Sequence, residues 1–290
     1  MTLLHIAADV VREAAARRYL AVVFGLIAFA QIALALALDL DVVEGAIVAS
    51  KLFGAALGGR ASDAATPGVA LGAVPQVQEQ LRPVFRVLTG AVYHLGMVFG
   101  VVATGDIAVK SLSPGRVELL LSLPVRRWEL LIGTFLGVGF IALAGAVFAV
   151  GGFSAVLFWK AGYFTAAPLW GALMGVLGFL IVYSAMLLAT TVARSAALAS
   201  GTGILVYVLS IIADDRAEVR SWFTAGWGRH VAGWLIAPLP KLRTLGSVGR
   251  DLAVGDLLDA ADLVPAGAAA VAFVAACLVA AVLQVERKDW

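Results

Sequence analysis

The chain has 290 residues, 62% of them hydrophobic and only 14% charged, with a mean hydropathy of +0.98. A soluble domain carries about 45–50% apolar and about 25% charged residues, so a water-soluble fold is excluded and a polytopic membrane protein is implied. The net charge of +2 comes without a long basic run, which argues against nucleic acid as a partner, and the single cysteine, Cys277, precludes an intramolecular disulfide.

At about 20 residues per span the length accommodates roughly six spans plus loops. Residues 1–18 are predicted to form an amphipathic helix. Leu3, Ile6, Ala7, Val10, Val11 and Ala14 fall at helical spacing, and Asp9, Glu13 and Arg17 line the opposite face. A charged-faced helix before a span lies in the interface plane. The first span is 19–38, polar only at Gln31. Its apolar region is too long for a cleaved signal peptide, and acidic residues intrude ahead of it. Residues 39–85 are mixed. Within them 42–57 carries Glu44 and Lys51, too polar for a clean span, and is expected as an outer-surface or re-entrant helix, with an extra span as the alternative.

The second span is 86–108, holding Tyr93, His94 and, near its inner end, Asp106. After a charged segment, 109–128, the third span runs over 129–158 and ends at Trp159 and Lys160, an aromatic and cationic belt. The fourth is 170–192, Arg194 marks a tight turn, and the fifth is 196–213. Residues 214–264 form a second large polar region. Trp222, Trp227 and Trp234 spaced through it suit short helices lying on a bilayer face, and 222–239 is a candidate for re-entry. The sixth span is 265–284. Within the spans, glycines recur four residues apart at Gly96 and Gly100, Gly133 and Gly137, and Gly171 and Gly175. This spacing lets helices approach closely, and packing within one subunit is the simplest use of it.

Orientation follows from the cations of the short loops. With the N-terminus inside, Arg12, Arg17, Arg18, Lys110, Arg116, Arg126, Arg127, Arg194, Arg287 and Lys288 all fall inside, and only Lys160 of the short 159–169 loop falls outside. Both termini and 109–128 are therefore expected to be cytoplasmic, in a cell (inner) membrane.

Chemistry of its own is not apparent. The nearest approach to a phosphate-binding loop, Gly100 to Gly105, is followed by Asp106 instead of lysine. Ser200-Gly201 lacks the preceding glycine of an intramembrane serine hydrolase, and the only later histidine, His230, lies in a loop. Three histidines and one cysteine lack the spacing of metal ligands. His94 is the only ionisable residue at mid-span, and it reads as a hydrogen-bonded packing residue beside Tyr93. The chain is expected to be non-catalytic, with no metal or cofactor.

The informative stretch is Gly115-Arg116-Val117-Glu118-Leu119-Leu120-Leu121-Ser122-Leu123-Pro124-Val125-Arg126-Arg127. Each of its charges would cost about 2.5–3.5 kcal/mol at a bilayer centre, so it lies at a surface. Leucines cover most of the circumference between Glu118 and Pro124, and such a helix needs burial against something. Proline ends it. The spelling Gly-x-x-Glu-Leu-Leu-Leu-Ser-x-Pro-x-x-Arg resembles the signature after the second span of ABC-2 type transporter permeases, and Val285 to Trp290 resembles that family's C-terminal ending. Ser111 to Pro114 before the glycine and Arg116 after it depart from the usual spelling.

The resemblance implies an all-α membrane protein of the ABC-2 (type V) exporter kind, with six spans and an interfacial N-terminal helix. It also implies a permease subunit moving a substrate with ATP hydrolysed by a separate ATPase. Gly115, Arg116, Glu118, Leu119, Leu120, Leu121, Pro124, Arg126 and Arg127 would form the coupling helix. The partners implied are two ATPase copies, which bind the ATP and magnesium, a second permease copy as a homodimer, and membrane lipids. Within the family, the loops look closest to the permease of the nitrous oxide reductase maturation transporter. The competing reading is a non-transporting membrane scaffold that transmits ATPase work to an extracytoplasmic partner.

Overall fold

Apolar runs of this length leave backbone groups with no water to bond, and a helix satisfies them within the segment. The computed structural model describes residues 2–16, 18–43, 46–52, 55–56, 77–111, 126–161, 164–215, 227, 230, 239–256 and 260–287. Helices are α1 (Thr2–Ala16), α2 (Arg18–Ala37), α3 (Val77–Ser111), α4 (Arg127–Ala161), α5 (Ala167–Ala193), α6 (Ala196–Asp214), α7 (Leu242–Val254) and α8 (Ala260–Arg287). Five helical stretches are long and apolar enough to cross a membrane: Arg82–Lys110, Arg127–Lys160, Ala167–Ala193, Ala196–Asp214 and Leu263–Arg287. The bent pair α1–α2 makes a sixth if counted as one span. α3, α4 and α8 run past the apolar stretches 86–108, 129–158 and 265–284 at both ends.

The region expected as a helix over 42–57 is instead a small antiparallel sheet, β1 (Leu38–Val43), β2 (Ala46–Leu52) and β3 (Ala55–Ala56), in that order. Leu38 pairs with Leu52 and Val43 with Ala46, with a register shift between Asp41 and Val42. The physical reason is visible in Leu38-Asp39-Leu40-Asp41-Val42, where apolar and acidic residues alternate with a period of two. Helical spacing would have mixed the acids among the leucines.

α5 is the axis of the bundle. It packs against α3, α4, α6, α7 and α8, and Val182, Tyr183, Met186 and Leu187 are fully buried along it. It ends at Arg194, whose φ of 45° is a left-handed conformation that caps the helix through Arg194 N–H to the Thr190 carbonyl (3.1 Å). α6 then returns alongside.

Small residues set the helix spacing. A Cβ at Gly133 would come within 2.6 Å of Ile6, and one at Gly137 within 2.8 Å of Val10. The glycine pair on α4 is thus the seat of α1, whose Ile6, Ala7, Val10 and Ala14 are all buried. Gly171 does the same for α7: a Cβ there would lie 2.5 Å from the Gly249 carbonyl oxygen. Gly100 abuts Phe179, whereas Gly96 faces open space.

Candidate functional site

Two ends of the bundle carry polar chemistry. The first is the end where α4 begins. Gly115, Arg116, Glu118, Leu119, Leu120, Leu121 and Pro124 lie outside the described residues, as do Trp222 and Trp234 of the other polar region. Arg126 and Arg127 are described. Arg126 N–H donates to Glu129 Oε2 and Glu129 N–H donates to the Arg126 carbonyl, each at 3.0 Å. This reciprocal pair closes the first turn of α4, and the Glu129 carboxylate is favoured there by the helix dipole.

Arg127 turns the other way. Its Nη1 donates to the carbonyl of Val285 at 3.2 Å. Val285 lies in the last turn of α8, where carbonyls have no helical partner, so Arg127 ties the start of α4 to the end of α8. Nothing in the spelling pointed to this, because a backbone acceptor leaves no mark in a sequence. Beside it, Trp128, Ile132, Leu278, Val279, Val282 and Leu283 line an apolar cavity of about 270 Å³ between α4 and α8. One turn up α8, Thr191 Oγ1 donates to Gln284 Oε1 at 2.8 Å and joins α5 to the same end. Lys110 pairs with Asp106 at the end of α3.

The second polar end is built around α7, a buried helix within the region expected to hold short helices. Asp214 and Asp215, which end α6, meet its first turn. Asp214 accepts from Thr244 N–H (2.6 Å) and Oγ1 (3.0 Å), and Asp215 pairs with Arg243. At the other end Gly255, at φ 80°, reverses the chain, and Asp256 N–H donates to the Asp251 carbonyl (3.0 Å). That turn brings Asp256 to Arg82 (3.3 Å) and Arg86 (2.7 Å) of α3, and Arg86 also reaches Asp251 (3.4 Å). Between these two ends, Tyr93 of α3 lies flat against Gly246, and its hydroxyl donates to the Leu242 carbonyl at 2.7 Å. His94 bonds through Nδ1 to the Tyr207 hydroxyl of α6 at 2.5 Å. The mid-span histidine is therefore hydrogen-bonded, and its partner is Tyr207. Tyr93 meets the histidine edge to face, with ring centroids 5.3 Å apart.

A model of the ABC-2 family transporter proteins matches residues 8–217, which takes in most of α1 and everything through α6. The chain belongs to that family. No curated protein matches it. This ABC-2 protein is a multi-pass membrane permease of an ATP-binding cassette transporter. Permeases of the family are membrane subunits, generally non-catalytic, that typically partner with an ATPase subunit.

Proposed function

We propose that the chain is the membrane half-unit of an ATP-driven exporter and that 109–128 is the segment on which its ATPase docks. Two permease copies and two ATPase copies would complete the machine, with both permease termini cytoplasmic in the cell membrane and ATP and magnesium bound by the ATPase alone. The observation that carries this reading is the Arg127–Val285 bond. The docking segment leaves α3 and enters α4, and at its exit a side chain grips the last turn of α8. A push on 109–128 is thereby delivered to three spans at once. Glu118 would pair with a cation of the ATPase or cap the short helix, and Leu119, Leu120 and Leu121 would fill a groove on it. The look of the loops points towards the nitrous oxide reductase maturation permeases as the nearest subgroup.

The test is co-purification of the ATPase and stimulated ATP hydrolysis in Glu118→Lys and Leu120→Asp. Both variants are expected to insert and express like the parent while losing docking or coupling. If both bind and stimulate normally, 109–128 is not the coupling segment. Solute movement in sealed vesicles separates an exporter from a scaffold that only transmits ATPase work. A reporter after Trp290 is expected inside and one inserted near Gly162 outside.

A further inference from the structure

Seven charged side chains gather where α3, α6 and α7 meet, and six of them are satisfied. Arg82 and Arg86 share Asp251 and Asp256, Arg243 has Asp215, and Asp214 accepts from Thr244 (its carboxylate making the eighth charge). Arg250 is the exception. Among the described residues it has no hydrogen-bond or ion-pair partner, although it is half-buried. At the α3–α7 corner three guanidiniums stand against two carboxylates, which leaves one positive charge uncompensated. A charge withdrawn from water without a counter-ion is costly, and in a membrane protein such a residue marks a site.

Its placement is specific. The stem of Arg250 lies over Gly90, whose missing side chain leaves the room: a Cβ there would be 3.3 Å from Arg250 Cδ and 3.8 Å from Nη1. One turn along the same face of α3 is His94, held by Tyr207, and His94 remains exposed among Val87, Leu95 and Val98. The guanidinium is close enough to act electrostatically on both Tyr93 and His94. An unpaired planar fork of N–H donors therefore sits above a hydrogen-bonded imidazole–phenol pair, on a face that is otherwise apolar. Carboxylate and phosphate oxygens fit that fork, and a cation does not.

We infer that Arg250, with the His94–Tyr207 pair as its inner wall, is the recognition site for an anionic group, phosphate or carboxylate, on the molecule this permease moves. The inference rests on the permease reading and assigns the cargo class that reading leaves open. The anionic group can arrive on a lipid headgroup or on a soluble molecule, and the two are separable.

The full chain in phosphatidylcholine nanodiscs is titrated with dodecyl phosphate and with dodecyltrimethylammonium, whose tails are the same and whose charges differ. The parent is expected to bind the phosphate at least tenfold more tightly. Arg250→Gln abolishes the preference, and Arg250→Lys keeps part of it. Gly90→Val weakens it with no change of charge, by displacing the guanidinium. Arg243→Gln, which removes an equal charge from the same helix, leaves it intact. Competition by phosphatidylglycerol in the disc assigns a lipid headgroup, and competition by inorganic phosphate assigns a soluble anion. A preference that survives in Arg250→Gln, or is lost equally in Arg243→Gln, overturns the inference. ATPase co-purification is measured on the same preparations. Its absence in the parent would sink the permease reading while leaving the binding result to stand on its own.

Discussion

Gln31 of α2 occupies the space that Gly152 of α4 leaves: a Cβ on Gly152 would lie 2.4 Å from the Gln31 amide. From that position Gln31 Nε2 donates to the carbonyls of Phe148 (2.9 Å) and Ala149 (3.2 Å), and Phe24 meets the Phe148 ring one turn away with centroids 5.3 Å apart. The only strongly polar residue of the first apolar run is thus the clamp that holds it to its neighbour. Interhelical hydrogen bonds in membranes average about 0.6 kcal/mol. Gln31→Leu is expected to cost about that much, and Gly152→Ala more, because the amide must move. Combining Gly152→Ala with Gln31→Ala is expected to recover most of the Gly152 loss. Denaturation of the four proteins in one detergent gives the coupling energy, and simple additivity would show that the two residues do not share a space.

Substitution at Gly137 is expected to unseat α1. Its Cβ would meet Val10 and the Ala7 carbonyl (2.9 Å), both on well-packed elements with nowhere to shift. A cysteine placed at Val10, now 1% exposed, is expected to become reactive towards a soluble maleimide in Gly137→Leu. Gly145→Leu is the control, since nothing lies within 4 Å of that position. Equal labelling in both would mean that α1 is not held by α4.

Removal of the Arg127 guanidinium is expected to loosen the α4–α8 contact. A hydrogen bond from a charged donor contributes about 1.5–3 kcal/mol when buried. Arg127 is half-buried, so the lower end, about 1 kcal/mol, is expected for Arg127→Ala. Arg127→Lys is expected to fall between Ala and the parent, since a lysine keeps the charge and loses the fork. Thermal unfolding in detergent checks the order, and a lysine variant as stable as the parent would leave charge alone as the cause.

Tyr93→Phe is expected to remove one bond, to the Leu242 carbonyl, while the ring keeps its seat against Gly246 and Gly178. The cost is about 1 kcal/mol. Gly246→Val is expected to cost more, because its Cβ would meet the ring at 3.1 Å. Amide exchange over 242–248 is expected to quicken slightly in the first variant and strongly in the second.

How far the chain was legible can be judged residue by residue. Apolar periodicity marked the face of α1, and Ile6, Val10 and Ala14 are buried there. Glycine spacing marked contacts without naming partners, and the partner of Gly133 and Gly137 proved to be the amphipathic helix, not another long apolar helix. The strands were written in Leu38 to Val42, but two acids among leucines read as polarity before they read as alternation. Tyr207 and Val285 were beyond reach for a different reason. One lies 113 positions from His94, and the other offers only its backbone. Seven of the nine residues expected in the coupling helix fall outside the described residues, so the resemblance remains their support.

α7 is held in two physically different ways. Its ends are fixed by ion pairs whose side chains are 28–58% exposed, and its middle by Tyr93 against glycine, with no charge involved. Dissolved salt acts on the first and not on the second. At about 1 M ionic strength the screening length falls to about 3 Å, close to the length of the ion pairs themselves. The medium bathing that end of the bundle therefore sets how tightly the ends of α7 are tethered. Brine frees both ends while the helix stays seated, pivoting on one tyrosine.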